Sequence, residues 1–492
     1  MNLKMVFNTL GNIMKTEALL LLVPLSVALM YGEKLSVMAF AVTIAIALFV
    51  GFAMTIFTRS ANRIIYAKEG FAIVALAWIF MSAVGAIPFV INRDIPFYVD
   101  AFFETVSGFT TTGASIIPNV ELLSKSSLIW RSFTHWVGGM GVLVFVMALL
   151  PSISDRSIHI MRAEMPGPVV GKLVPRAKDT AKILYLIYIV MTLAEVVLLS
   201  LGEMDLFESF FHAFGTAGTG GFGMKADGLV SYSPYSQWVI AIFMLLFGVN
   251  FNLYYLILIR RAKAALKSTE LWAYIAIVLT CAVLICANIR ALYPTLSDTV
   301  RHAFFQVMTL VSTSGYSTAD FNLWPEFSKG ILFLLLFVGG CAGSTAGGLK
   351  ISRVLLLFKV IGREIKQSLH PRSVNAVRLE GKTVEEKTAS GVCVYFAVYI
   401  LCIFATFILL SLDSATPGFE TNFTASVTCF NNVGPGFAKV GPMGGFSFYS
   451  PFSKVILSFT MLFGRLEIYP LLLAFFPATW TKRCKYKVIC IF

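Results

Sequence analysis

The sequence predicts an all-α polytopic membrane protein. It would consist of four tandem helix–loop–helix repeats with re-entrant loops, in pseudo-fourfold arrangement, plus two N-terminal transmembrane helices. Three observations predict this. The 492 residues are 57% hydrophobic and only 13% charged, with a mean hydropathy of +0.80; a chain of this length cannot hide that much apolar surface from water, so a bilayer must be its solvent. The apolar residues gather into segments close to the length of about 20 residues that crosses a bilayer. Finally, FFETVSGFTTTGAS (102–115) returns without gaps as FFHAFGTAGTGGFG (210–223), FFQVMTLVSTSGYS (304–317) and FTASVTCFNNVGPG (423–436). Such a repeat defines the architecture before any other feature is read.

In chain order, the candidate spans are 17–31, 35–57, 71–91, 130–150, 180–202, 236–259, 271–292, 327–361 (interrupted), 389–412 and 452–478. The first is short. It runs directly into the second without an A-x-A-like cleavage site, so no cleavable signal is expected. Residues 1–70 form an N-terminal hairpin without a copy of the motif. The first repeat unit is 71–179, including a basic linker rich in Pro and Gly (Pro166, Gly167, Pro168, Gly171, Pro175) that reads as a surface loop. The second is 180–270, the third 271–388 with a charged linker at about 370–388, and the fourth 389–492 with its tail.

Lys and Arg are concentrated in alternate loops: 58–70, 151–182, 260–269, 350–387 and the tail 482–487. The loops carrying the four motifs hold far fewer. The positive-inside rule therefore puts the basic loops and both termini in the cytoplasm and turns the four motifs outward. This accounts for the net charge of +13 as a topology signal, and no nucleic-acid partner is implied. The eight cysteines are scattered, mostly within spans, without a C-x-x-C pair, and read as reduced packing residues. The five histidines (His135, His159, His212, His302, His370) show no metal-ligand spacing, and neither a Gly-x-Ser-x-Gly elbow nor a Walker loop occurs. A membrane-embedded enzyme is thus the weakest reading. An alternating-access carrier usually carries two inverted repeats, whereas these four share one topology.

The repeated motif has its own chemistry. Non-helical backbone at membrane depth is tolerated only where protein buries it or where it lines water. Four equivalent loops meet that condition by converging on one axis, where their carbonyls can replace a cation's hydration shell. One column holds Gly113, Gly221, Gly315 and Gly434, preceded by Thr111 and Thr112, Thr219 and Gly220, Thr313 and Ser314, Asn432 and Val433. Glycine suits carbonyl alignment that a Cβ would obstruct. The short helices before the loops would aim their partially negative C-termini at the water below, which favours a cation. Asp100, Glu104, Asp205, Glu208, Asp298 and Glu420, near the outer ends of these helices, would either concentrate cations or serve as ordinary caps. Close packing of small residues would explain any single copy, but not four copies in register.

On TTTGAS, TGGFG, TSGYS and NNVGPGF, in that order, the chain resembles the TrkH/KtrB/HKT superfamily of potassium transporters over nearly its whole length. The two extra N-terminal spans and FGRLEIYP near the end resemble the TrkH branch. The resemblance implies potassium uptake through the bacterial inner membrane, K+ held in a filter formed by the twelve residues named above, and no other cofactor. It also implies a homodimer with one pore per subunit and a cytosolic TrkA-like nucleotide-binding ring as regulator. Each loop offers a shorter carbonyl ladder than T-V-G-Y-G, so rubidium should be accepted and sodium only partly excluded. Downhill, proton-coupled and sodium-coupled (symport) transport all remain open. The fourth loop departs most, with Asn431, Asn432, Val433 and Pro435.

The run GGCAGSTAGGLK (339–350) breaks the second span of repeat three with five glycines, each disfavouring helix by about 1 kcal/mol relative to Ala. It reads either as a tightly packed kink or, as the resemblance implies, as an intramembrane gate centred on Gly343, Ser344, Thr345, Ala346, Gly347 and Gly348. Arg465, in the last span, is expected either to pair with Glu467 or with loop carbonyls, or to stand as an electrostatic barrier beside the loop, the role the family implies. Lys350 reads as an interface anchor.

Overall fold

The computed structural model describes residues 1–58, 67–141, 177–373, 375–413 and 418–480. The basic loop 151–176, the tail 482–487, Arg59, Arg63, His159, Cys484, Cys490 and the end of the 130–150 span lie outside them.

The described chain is helical apart from one two-stranded hairpin. Helices α1 (Leu3–Leu20) and α2 (Leu22–Met30) form one bent span, and α3 (Lys34–Phe57) returns against it. The first span therefore starts at Leu3 rather than 17. Asn12, Thr16 and Glu17 lower its hydropathy, yet Thr16 and Glu17 face the protein interior rather than lipid. Gly11 and Gly51 let the two helices approach until a methyl on either would lie 2.8 Å from the other's carbonyl oxygen, a contact of small residues that suits helix pairs in lipid.

Four helical units follow. Their first helices are α4 (Ala67–Gly85, continuing through α5, Ile87–Ile91), α8 (Ala177–Ser200), α12 (Thr269–Ile289) and α16 (Glu386–Ser411). Each leads to a short helix: α6 (Tyr98–Phe109), α9 (Leu206–Gly218), α13 (Leu296–Val311) and α17 (Phe419–Asn431). At 1.5 Å per residue, their twelve to sixteen residues rise only about 18–24 Å, too little to cross hydrocarbon about 30 Å thick, so the chain must turn back inside the bundle. The return helices are α7 (Lys125–Gly139), α10 (Pro234–Phe247, followed by α11, Phe251–Leu258), α14 (Glu326–Leu335, followed by α15, Ile351–Leu369) and α18 (Pro451–Arg465, followed by α19, Tyr469–Phe475). Between α15 and α16 lies the hairpin of β1 (Arg378–Leu379) and β2 (Lys382–Thr383).

Two return spans that read as continuous in sequence are broken. The 236–259 segment bends by 88° between α10 and α11. There the Gly248 carbonyl accepts a bond from the Cys341 amide at 2.9 Å, and Asn250 caps α11 by accepting from Asn252 N at 2.9 Å. The 452–478 segment stops at Arg465, where Glu467 (φ 54°) and Ile468 (φ 69°) take left-handed backbone. That conformation is strained for a β-branched residue, and it is held by an Ile468 N–Phe463 O bond of 2.9 Å.

Candidate functional site

Each of the four short helices ends in the same turn. Thr111, Thr219, Thr313 and Asn432 take φ values of 55°, 55°, 57° and 54°. In all four the following amide reaches back five residues: Thr112 N to Ser107 O (2.9 Å), Gly220 N to Gly215 O (2.9 Å), Ser314 N to Thr309 O (2.8 Å) and Val433 N to Thr428 O (3.0 Å). This is the hydrogen-bond pattern of a helix C-terminal cap in which the left-handed residue is usually Gly or Asn. Three β-branched threonines occupy it here. The strain is repeated at equivalent positions, the sort of outlier that marks a functional segment. The cap also turns the loop amides back to their own helix and away from the axis.

Two residues beyond each left-handed residue, the glycines interlock. A Cβ on Gly113 would overlap the carbonyl oxygen of Gly220, one on Gly221 that of Ser314 and one on Gly315 that of Val433; a Cβ on Gly434 would lie 2.6 Å from that of Thr112. The series closes on itself in chain order, so each loop lays its glycine against the preceding-residue carbonyl of the next. All twelve residues expected to form the filter are brought together. The fourth loop, the least regular in sequence, keeps the same backbone, and Asn432 Nδ2 donates to Thr112 Oγ1 at 3.0 Å to join the last loop to the first. Side chains brace the ring from outside: Thr110 and Thr112 hydroxyls bond at 2.8 Å, as do Ser312 and Ser314. Gly220 stands where two of the other loops carry Thr or Ser because the His135 ring packs directly behind it.

The four glycines border a cavity of about 330 Å³ on one face of the ring. On the other face a cavity of only about 50 Å³ is lined by Gly139, Ser344, Gly347 and Arg465 among others, room for no more than a few water molecules. It is filled by the 336–350 loop. Val338 and Leu349 pair as an isolated bridge at the loop's neck. Gly347 N donates to Thr313 Oγ1 at 2.6 Å, so the loop touches a residue of the ring itself. Arg465 donates to Thr345 O (3.0 Å) on the loop and to Gly138 O (2.5 Å) and Gly139 O (2.7 Å) at the end of α7. Glu467 is taken by Arg353 at 2.5 and 3.1 Å, so the acid expected as a partner of Arg465 serves another arginine. Lys350 is 2% exposed and its ammonium bonds the Ala346 carbonyl. It anchors the loop rather than a membrane interface, because the chain folds inward before α15 begins.

The acidic residues also find partners. Glu104 is buried in an ion pair with Arg131 at 2.8 Å and accepts from Ser115 Oγ and Ile116 N at 2.9 and 3.0 Å, fixing the chain just past Gly113. Asp100 pairs with Lys454 and Asp298 with Arg301, while Asp205 caps α9. Capping and bracing, not a free negative surface, account for these four.

The profile of the TrkH family, described as cation transport protein, matches residues 36–288 and 266–482. The chain belongs to the TrkH family. It is 36% identical over 468 residues to the Trk system potassium uptake protein TrkH of Escherichia coli K12, covering 94% of this chain and 95% of that one. Identity to the Trk system potassium uptake protein TrkG of the same strain is 32% over 486 residues, covering 97% and 99%. The crystal structure of the potassium transporter TrkH from Vibrio parahaemolyticus matches with a TM-score of 0.88 at 30% identity, over 98% of this chain and all of that one. This TrkH-family chain is thus a helical integral membrane protein of a transport family, not an enzyme.

Sequence reading of the TrkH-family chain missed the residues that hold the loops: Arg131, Arg353 and Glu270, whose carboxylate accepts from Ala342 N and Ser352 N at 2.8 and 3.0 Å. Arg131 carried a usable signal, since a buried charge in a membrane bundle needs a partner and Glu104 lies in the preceding helix.

Proposed function

We propose that this protein takes up potassium across a bacterial inner membrane through one pore per chain. The ring of Thr111, Thr112, Gly113, Thr219, Gly220, Gly221, Thr313, Ser314, Gly315, Asn432, Val433 and Gly434 is its selectivity filter. The observation that carries this reading is the closed series of glycine-to-carbonyl contacts, which leaves four carbonyls from four loops around one axis where a dehydrated cation can sit. Potassium comes from the chemistry that the relatives' names state. Rubidium is accepted and sodium only partly excluded.

The loop 343–348 with Arg465 is the gate. It plugs the narrow side of the filter, and the guanidinium both ties it to α7 and repels an entering cation. By the distribution of Lys and Arg, the vestibule of about 330 Å³ faces outward, and both termini with the 378–383 hairpin face the cytoplasm. Segment 1–70 is an N-terminal hairpin, and 71–179, 180–270, 271–388 and 389–492 are the four pore units. A homodimer with a cytosolic TrkA-like nucleotide-binding ring completes the system and bears on the basic inner loops.

The test is recording from the purified full-length chain in planar bilayers. Unitary potassium currents, also carried by rubidium and more weakly by sodium, are expected. Transport without unitary currents would assign an alternating-access cycle instead.

A further inference from the structure

The hairpin of β1 and β2 turns through Glu380 and Gly381, both left-handed, with φ of 51° and 74°. A two-residue turn of this kind favours Asn-Gly, and a long side chain at its first position is strained. The Glu380 carboxylate has a use that Asn could not reach. Its Oε1 accepts from Ser268 Oγ (3.1 Å), Thr269 Oγ1 (3.0 Å) and Glu270 N (3.1 Å), capping the N-terminus of α12, where a negative charge meets the positive end of the helix dipole.

The next link is Glu270 itself, 7% exposed. Its Oε1 accepts from Ala342 N at 2.8 Å and from Ser352 N at 3.0 Å. These two amides flank the 343–348 run, one at its start and one in the first turn of α15. A single carboxylate therefore closes the base of the loop. The hairpin is not loose: Val377, Leu379 and Val384 pack with Leu356 and Val360 of α15 and Val392 of α16, and Lys359 Nζ donates to Arg378 O at 2.7 Å.

We infer that Glu380 and Glu270 form a two-step latch, with Glu270 as the positioning residue that holds the gate loop closed and Glu380 as its connection to the cytosolic hairpin. This rests on the gate reading above. A regulator that displaces the hairpin would release the α12 cap, shift Glu270 and loosen both ends of the loop, and would also pull on α15 directly. The filter, held by its own caps, would keep its ion preference.

The experiment is rubidium and sodium uptake by the full-length chain in proteoliposomes, normalised to folded protein, without a regulator. Glu380→Gly is the sharpest variant, because glycine relieves the left-handed strain and keeps the hairpin folded while removing the carboxylate. It and Glu270→Ala should raise rubidium flux at least about tenfold, the scale of losing one charge-assisted bond, with the rubidium-to-sodium ratio unchanged. Glu270→Gln keeps the acceptor and should restore most of the closure. In a background lacking 343–348 neither variant should add further flux. Raised flux in the loop deletion but wild-type flux in both Glu380→Gly and Glu270→Ala would overturn the latch alone. No rise in the loop deletion would remove the gate reading and the latch with it.

Discussion

Substituting the ring glycines one at a time by alanine should damage ion selection in a defined order. All four have positive φ, between 71° and 92°, so each alanine incurs a similar left-handed cost, about 1–2 kcal/mol. What differs is the overlap. The methyl would penetrate deepest into the Ser314 carbonyl at Gly221, then into Gly220 at Gly113, then into Val433 at Gly315, and least at Gly434, where it stands 2.6 Å from the Thr112 oxygen. Real Cβ atoms do not approach within 3.0 Å, so even Gly434→Ala must push a carbonyl by roughly 0.4 Å, and the other three push further. A displaced carbonyl weakens the coordination that distinguishes one dehydrated cation from another. A loss of about 1.4 kcal/mol of that difference is a tenfold loss of selectivity. Rubidium and sodium uptake in proteoliposomes, per folded molecule, gives the ratio directly. The expected order of damage is Gly221, Gly113, Gly315, Gly434. Four variants with wild-type ion preference, or an order led by Gly434, would refute the carbonyl ring as the selecting element.

Three further outcomes test the surroundings of the ring. Arg465→Ala breaks the bond to Thr345 O, a charge-assisted contact of about 1.5–3 kcal/mol, so rubidium flux should rise roughly ten- to a hundredfold; deleting 343–348 should act in the same direction without adding to it, and lower flux per folded molecule in both would leave only a packing role. Thr313→Val keeps shape but removes the acceptor for Gly347 N, so flux should rise about fivefold, for one bond of about 1 kcal/mol, as read by the same uptake assay. Glu104→Leu should cut the folded yield and lower the melting temperature of the purified protein, because it strands a buried Arg131 at a cost of about 3–5 kcal/mol, and Arg131→Met added to it should recover much of the loss.

Local pattern and long-range pairing explain what the sequence disclosed and what it hid. The convergence of four loops was legible because four copies carry a glycine in the same column between two apolar segments, and repetition needs no knowledge of contacts; the left-handed cap before each glycine was not. The 336–350 break was legible from five glycines. By contrast, the bend between α10 and α11 depends on Cys341 N reaching Gly248 O, a contact between repeats that leaves no periodicity in the apolar pattern of 236–259. Lys350 looked like a membrane-edge residue because it lies just past the glycine-rich run, yet the loop folds inward and takes its ammonium to Ala346 O. Glu104 looked like a surface acid because helix starts are commonly acidic, but its partner Arg131 sits in the next helix and buries it.

On the gate reading proposed above, the same contacts explain how a fourfold pore would close with one loop. All four return helices stop at comparable places in their repeats, at Gly139, Phe247, Leu335 and Arg465, and in repeats two, three and four the described chain breaks there beside the axis. Among the described residues, repeat three fills its break with a long insertion, and the other repeats supply its seats. Repeat two offers Gly248 O to Cys341 N and takes Gly343 O with Phe251 N. Repeats one and four meet through Arg465, which joins Gly138 and Gly139 to Thr345. Repeat three itself adds Thr313 at the ring. Each of these bonds contributes about 0.5–3 kcal/mol, so the hold on the loop is divided among the repeats. In the proposed pore, conduction would run along one axis, and one loop on that axis would suffice to block it; a symmetric set of four would crowd the space that a single insertion already reduces to about 50 Å³.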